Sequence, residues 1–77
     1  MPADSVKQVM INNRLIGIVG LDAAIAKANK TCTDKSDAEI ADFLVAVIAD
    51  QNYIPVQGRE DYAKALLRQY KIENNLP

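Results

Sequence analysis

The sequence contains no histidine and only one cysteine, Cys32, among its 77 residues. Without histidine the chain cannot build a Ser-His-Asp triad, a Cys-His pair or any zinc site that uses imidazole. One thiol is too few for an internal disulfide, a cysteine-rich zinc site or an iron–sulfur cluster within one chain. We therefore expect no metal, no cofactor and no catalytic residue, and we predict that the protein is not an enzyme.

An excess of charge of one sign and a long apolar run are also lacking. Nine basic and ten acidic residues give a net charge of −1, and they are interleaved, which argues against a phosphate-binding face or a polybasic membrane patch. The longest apolar run, FLVAVIA, falls far short of the roughly 20 residues that a bilayer requires. The first residues, MPADS, lack the features of a signal peptide. The expectation is a cytoplasmic protein without nucleic-acid or membrane partners.

Aromatic side chains are scarce and tryptophan is absent. The 49% of hydrophobic residues is nevertheless enough to fold, so the core must consist of Ile, Leu, Val and Ala. The length predicts one small domain over residues 1–77, and a domain of this size buries only about 60–65% of the surface of its unfolded chain.

Residues 7–19, KQVMINNRLIGIV, alternate in the manner of a β-hairpin. A two-residue turn at Asn12-Asn13 suits asparagine, which tolerates positive φ, and it sets Val9 opposite Ile16. The register divides the apolar side chains between two faces, with Val9, Ile11, Ile16 and Ile18 on one and Met10, Leu15 and Val19 on the other. Helical spacing in the first half (Val6, Val9, Met10) leaves a helix as the competing interpretation.

Three helices are predicted after Gly20. The first, LDAAIAKANK, has apolar residues at helical spacing, namely Leu21, Ala24, Ile25 and Ala28. The second follows a capping box formed by Ser36 and Glu39, and its stripe is Ile40, Phe43, Leu44, Val47 and Ile48. The third begins near Gly58-Arg59, with the stripe Tyr62, Leu66 and Tyr70 and with Ala63, Leu67 and Ile72 beside it. The closing ENNLP is expected to be a frayed tail.

The connection NYIP between the second and third helices raises a separate question. Asn52 is suited to the left-handed position that follows a helix, and Pro55 prevents the helix from continuing. This favours a stop-and-turn device in which Tyr53 folds back on the helix and Ile54 fills a gap. A recognition loop is the alternative, and exposure of Tyr53 and Ile54 would favour it.

Two further groups of residues are candidates for chemistry. Cys32 lies between Lys30 and Lys35, ahead of a helix, where positive charge favours the reactive thiolate; the simpler interpretation is an exposed, ordinary thiol. The carboxylates Asp34, Asp37, Glu39 and Asp42 are clustered, but acids at a helix start need no metal to explain them.

NYIP and the following YAKALLRQY, together with INNRLIGIVGL, resemble a group of small uncharacterised prokaryotic proteins. The resemblance is specific only at these stretches. It implies a prokaryotic source and an N-terminal hairpin before the helices, and it implies no activity.

We expect an α+β fold, an N-terminal two-stranded hairpin followed by three helices; an all-α bundle is the alternative. The function we predict is protein interaction through the hairpin, with a partner protein or as a homodimer. The candidate contact residues are Met10, Leu15, Val19, Tyr53 and Ile54. A thiol-dependent redox role for Cys32 and, more weakly, nucleic-acid binding by a helical domain are the alternatives.

Overall fold

The computed structural model describes residues 6–77. The MPADS stretch, on which the expectation about a signal peptide rests, lies outside the described residues. In chain order the elements are β1 (Val6–Ile11), β2 (Arg14–Val19), α1 (Leu21–Thr31), α2 (Asp37–Ile48) and α3 (Arg59–Glu73). The predicted α+β fold is confirmed, and the all-α alternative is wrong.

The hairpin has the register that the alternation predicts. Asn12 and Asn13 both adopt positive φ, 52° and 62°, as a type I′ turn requires. Val9 lies opposite Ile16 and Met10 opposite Leu15. The inner face is in the core, since Val9, Ile11 and Ile18 are buried and Ile16 packs partly buried against them.

The start of α1 follows from one glycine. Gly20 takes φ 77°, a left-handed conformation that costs a glycine little, and it turns the chain from β2 directly into the helix. The four residues predicted for the buried stripe of α1 are all in the core: Leu21, Ala24, Ile25 and Ala28.

Helix α2 begins with the predicted capping box. The hydroxyl of Ser36 accepts a hydrogen bond from the backbone N–H of Glu39, and the Glu39 carboxylate accepts one from the backbone N–H of Ser36. The helix contacts both α1 and α3, so it lies at the centre of the three helices. Its stripe is less uniform than predicted, because Leu44 is fully buried while Phe43 is only partly buried at the side of the core.

The hairpin rests mainly on two helices. Strand β1 packs against α3 and α1, and Lys7 joins these three elements by bonding Glu73 at 2.9 Å and Asp22 at 3.0 Å. The hydrogen bonds to Glu73 and Asp22 raise the pKa of Lys7. At the other end of the hairpin, the Asn12 amide donates to the Asp61 carboxylate at 2.9 Å.

Helix α3 ends differently from the prediction. Asn75 adopts φ 56°, its N–H bonds the Ile72 carbonyl, and the Leu76 N–H bonds the Lys71 carbonyl at 2.8 Å. These two bonds form a Schellman motif, so the prediction of a frayed tail is wrong. Ile72 was predicted beside the buried stripe, but 60% of it is exposed.

Candidate interaction surface

The outer face of the hairpin carries apolar side chains that no described residue covers. Met10 and Leu15, which lie opposite each other, are 46% and 62% exposed. Val6, at the start of β1, is 60% exposed on the same face. The alternation predicted Met10 and Leu15 correctly. Val6 was missed, although the period of two that placed Met10 on this face also places Val6 there.

Gly17 lies within this outer face. A side chain at this position would meet an obstacle, because a Cβ built on Gly17 would come within 3.0 Å of the Val6 Cγ1 atom. The Val6 side chain therefore leans over the glycine. The apolar residues of the outer face form, together with Gly17, a surface that we call the hairpin patch: Val6, Met10, Leu15, Gly17 and Val19.

Val19 is at the end of the patch and is half-buried. Its N–H donates to Asn52 Oδ1 and its C=O accepts from Asn52 Nδ2, both at 2.9 Å. Asn52 Nδ2 also donates to the Ile48 carbonyl at 2.8 Å, near the end of α2. The primary amide thus occupies the place of a neighbouring strand beside Val19.

The structure corrects two expectations about the NYIP connection. Asn52 is not among the residues with positive φ, and its role is carried by the side-chain amide instead. Tyr53 does not fold back on α2, since 85% of it is exposed. Ile54 does pack against the core, as predicted for an apolar plug.

The structure divides the candidate contact residues between the hairpin and the NYIP connection. Met10 and Leu15 lie opposite each other on the hairpin patch. Tyr53 directly follows Asn52, whose side chain bonds Val19 at the end of β2. Val56, which sequence reasoning missed, is 90% exposed in the same connection. Ile54 belongs to the core side of the loop.

Cys32 is not the exposed thiol that the sequence favoured. Only 5% of the residue is accessible, and it belongs to the hydrophobic core. The Sγ atom lies 3.7 Å from Thr31 Oγ1. A buried cysteine behaves as a small apolar residue, and reagents do not easily reach its thiol.

Two of the four clustered carboxylates have structural partners. Asp37 pairs with Lys71 at 2.8 Å, and Glu39 belongs to the capping box. The backbone hydrogen bond from Ser36 lowers the pKa of Glu39. Within residues 6–77, no group of His, Cys, Asp and Glu side chains is arranged to hold a metal ion.

Comparison with known proteins adds no relative. A scan of protein-family models, a search of curated proteins and a search of solved structures each found no match. In the part of the chain that the structure describes, no helix combines the length and apolar character needed to cross a bilayer.

Proposed function

We propose that this chain is a protein-interaction module that binds its partner through the hairpin patch. The observation that supports the proposal is the exposure of Val6, Met10 and Leu15 on one face of a sheet whose other face is in the core. Isolated apolar residues on a surface are ordinary, but adjacent ones on a flat face are typical of contact sites.

The energy available from covering the patch is substantial. Full burial of one large aliphatic side chain contributes about 1.5–3 kcal/mol. Since Val6, Met10 and Leu15 are between 46% and 62% exposed, covering all three would contribute about 2.5–5 kcal/mol. Burial of this size suits a surface that is exposed in the isolated chain and covered in a complex.

Tyr53 extends the surface beyond the hairpin. Tyrosine is enriched at interfaces because its ring offers a large apolar area and its hydroxyl a hydrogen bond. Tyr53 directly follows Asn52 in the chain, and the Asn52 side chain bonds Val19 at the end of β2. The exposure of Tyr53 favours the recognition-loop interpretation of NYIP for this residue. Ile54 is partly buried against the core, which limits that interpretation to the outer side of the loop.

The alternatives receive less support. A thiol-dependent role requires access to Cys32, which is buried. For nucleic-acid binding, two of the basic side chains, Lys7 and Lys71, are already engaged with carboxylates.

The test places a charge at the centre of the patch by Leu15→Glu. A matched control is Ile72→Glu, because Ile72 is equally exposed but lies on α3. We expect Leu15→Glu to remain folded by circular dichroism and to lose the partner that wild type and Ile72→Glu retain in cross-linking and affinity capture.

Two results would contradict the proposal. One is a partner that both variants retain, which would place the contact elsewhere. The other is a partner that both variants lose equally, which would indicate a general effect of added negative charge.

A further inference from the structure

The free backbone groups of β2 can be assigned from Val19. This residue lies opposite Val6 in the hairpin, yet its N–H and C=O both bond Asn52. They therefore point away from β1, to the outer edge of β2. Because alternate residues of a strand direct their backbone groups to the same edge, Leu15 and Gly17 also direct theirs outward.

Asn52 closes only one end of this edge. Among residues 6–77, the hydrogen bonds to the outer edge of β2 are those between Asn52 and Val19. Leu15 and Gly17 each keep one N–H and one C=O directed outward. A strand edge with available backbone groups beside an apolar face is a template for a further strand.

We propose that the strand which pairs with this edge is β2 of a second copy of the chain, in antiparallel orientation, giving a four-stranded sheet. This rests on the proposed function, because it names the occupant of the same surface. Two identical strands related by a two-fold axis meet in this antiparallel manner.

One register satisfies all the available groups. With Leu15 of each copy opposite Gly17 of the other, every outward N–H and C=O of these residues is paired. A register centred on Gly17 would bring Leu15 against Val19, whose groups Asn52 already holds. A register centred on Leu15 would bring Gly17 against Asn13, which is in the turn at positive φ.

The side chains suit the same register. Leu15 of one copy would stand beside Gly17 of the other, which has no side chain of its own on the outer face. The Val6 side chain already leans over that glycine. Leu15 would therefore contact Val6 of the second copy, and two of the most exposed apolar residues of the hairpin patch would cover each other.

Charge also favours a second copy over an unrelated strand. Helix α2 has no basic residue in its last turn, and Asp50 follows it. In the proposed register Arg14, which is exposed, lies opposite Ile18 of the second copy and next to the segment that Asn52 holds. Its guanidinium would bring positive charge to the negative end of α2 and to Asp50.

The first experiment blocks one edge at a time with proline. Leu15→Pro removes one outward N–H of β2, and Gln8→Pro removes an outward N–H of β1 as a control outside the hairpin patch, since Gln8 lies opposite Gly17. Proline is tolerated on an edge strand where the lost N–H faces outward. In sedimentation velocity over a concentration series, we expect wild type and Gln8→Pro to dimerise and Leu15→Pro to remain monomeric.

The second measurement uses the wild type, so it does not depend on how the proline variants fold. Amide hydrogen exchange at Leu15 and Gly17 should slow as the protein concentration rises, while exchange at Gln8 and Met10 should not change. A dimer without protection at Leu15 and Gly17 would overturn the proposed pairing.

A wild type that stays monomeric up to about 1 mM, where even a weak complex forms, would also overturn it. That result would leave the proposed function standing if a different protein binds and is lost specifically in Leu15→Glu.

Discussion

Removal of the Asn52 side chain is expected to destabilise the fold far more than its position in a loop suggests. The amide makes three hydrogen bonds of 2.8–2.9 Å, two to Val19 and one to Ile48. A hydrogen bond between neutral groups contributes about 1 kcal/mol net. All three bonds are partly buried, so water replaces them only in part, and we expect Asn52→Ala to cost about 2–3 kcal/mol.

Two further variants separate the hydrogen bonds from other effects. Asn52→Asp keeps the acceptor for the Val19 N–H but replaces the donor with a carboxylate oxygen facing two carbonyls, so it should cost at least as much as Asn52→Ala. Gln51→Ala changes the neighbouring exposed residue, and a surface substitution of this kind should stay within about 0.5 kcal/mol of wild type.

The assay is equilibrium unfolding in urea, with the slope m checked for constancy among the variants. Amide exchange at Val19 should accelerate in Asn52→Ala, because that N–H loses its acceptor. If Asn52→Ala matched Gln51→Ala in stability and left exchange at Val19 unchanged, the amide would not bridge β2 and α2. Asn52 would then also not limit the pairing register of the β2 edge.

Two other outcomes follow from α2. In denaturant melts, Leu44→Ala at a fully buried site should cost about 2–5 kcal/mol of stability. Phe43→Ala should cost less than Leu44→Ala because its ring is partly exposed. Ser36→Ala should cost about 1 kcal/mol through the lost cap. A larger loss for Phe43→Ala than for Leu44→Ala would contradict this packing. Because folding lowers the pKa of Glu39, its charge stabilises the fold above the unfolded-state pKa of about 4.3, and this contribution is lost as the pH falls through the lower folded-state value. The stability advantage of wild type over Glu39→Gln should therefore shrink in acid, and an advantage that stays constant between about pH 6 and pH 3 would refute the role of the charge.

Local patterns in the sequence were sufficient for the elements and for three of the five residues of the hairpin patch. The alternation around Asn12-Asn13 predicted the pairing of Met10 with Leu15, because a two-residue turn fixes the register and the strand period of two then assigns each side chain to a face. The capping box at Ser36 and the buried stripe of α1 could also be predicted, because each depends on residues that lie within one or two helical turns of one another.

The exposure or burial of a side chain was decided by the tertiary structure alone where its neighbours come from distant parts of the chain. Helical spacing placed Ile72 beside a stripe, but the stripe does not specify how far a neighbouring element extends, and Ile72 is exposed. Cys32 lies in a polar stretch of the sequence, between Lys30 and Lys35, yet its side chain belongs to the core.

Asn52 gives the clearest physical reason for this division. Its amide bonds Val19, 33 residues away, and neither segment carries a local signal of the other. The sequence shows that Asn52 can donate and accept hydrogen bonds, but its partners depend on which backbone groups the folded chain brings within reach. The same bonds occupy the outer edge of β2 at Val19 and leave Leu15 and Gly17 as its open part, so the packing of the loop against the sheet sets the extent of the proposed interaction surface.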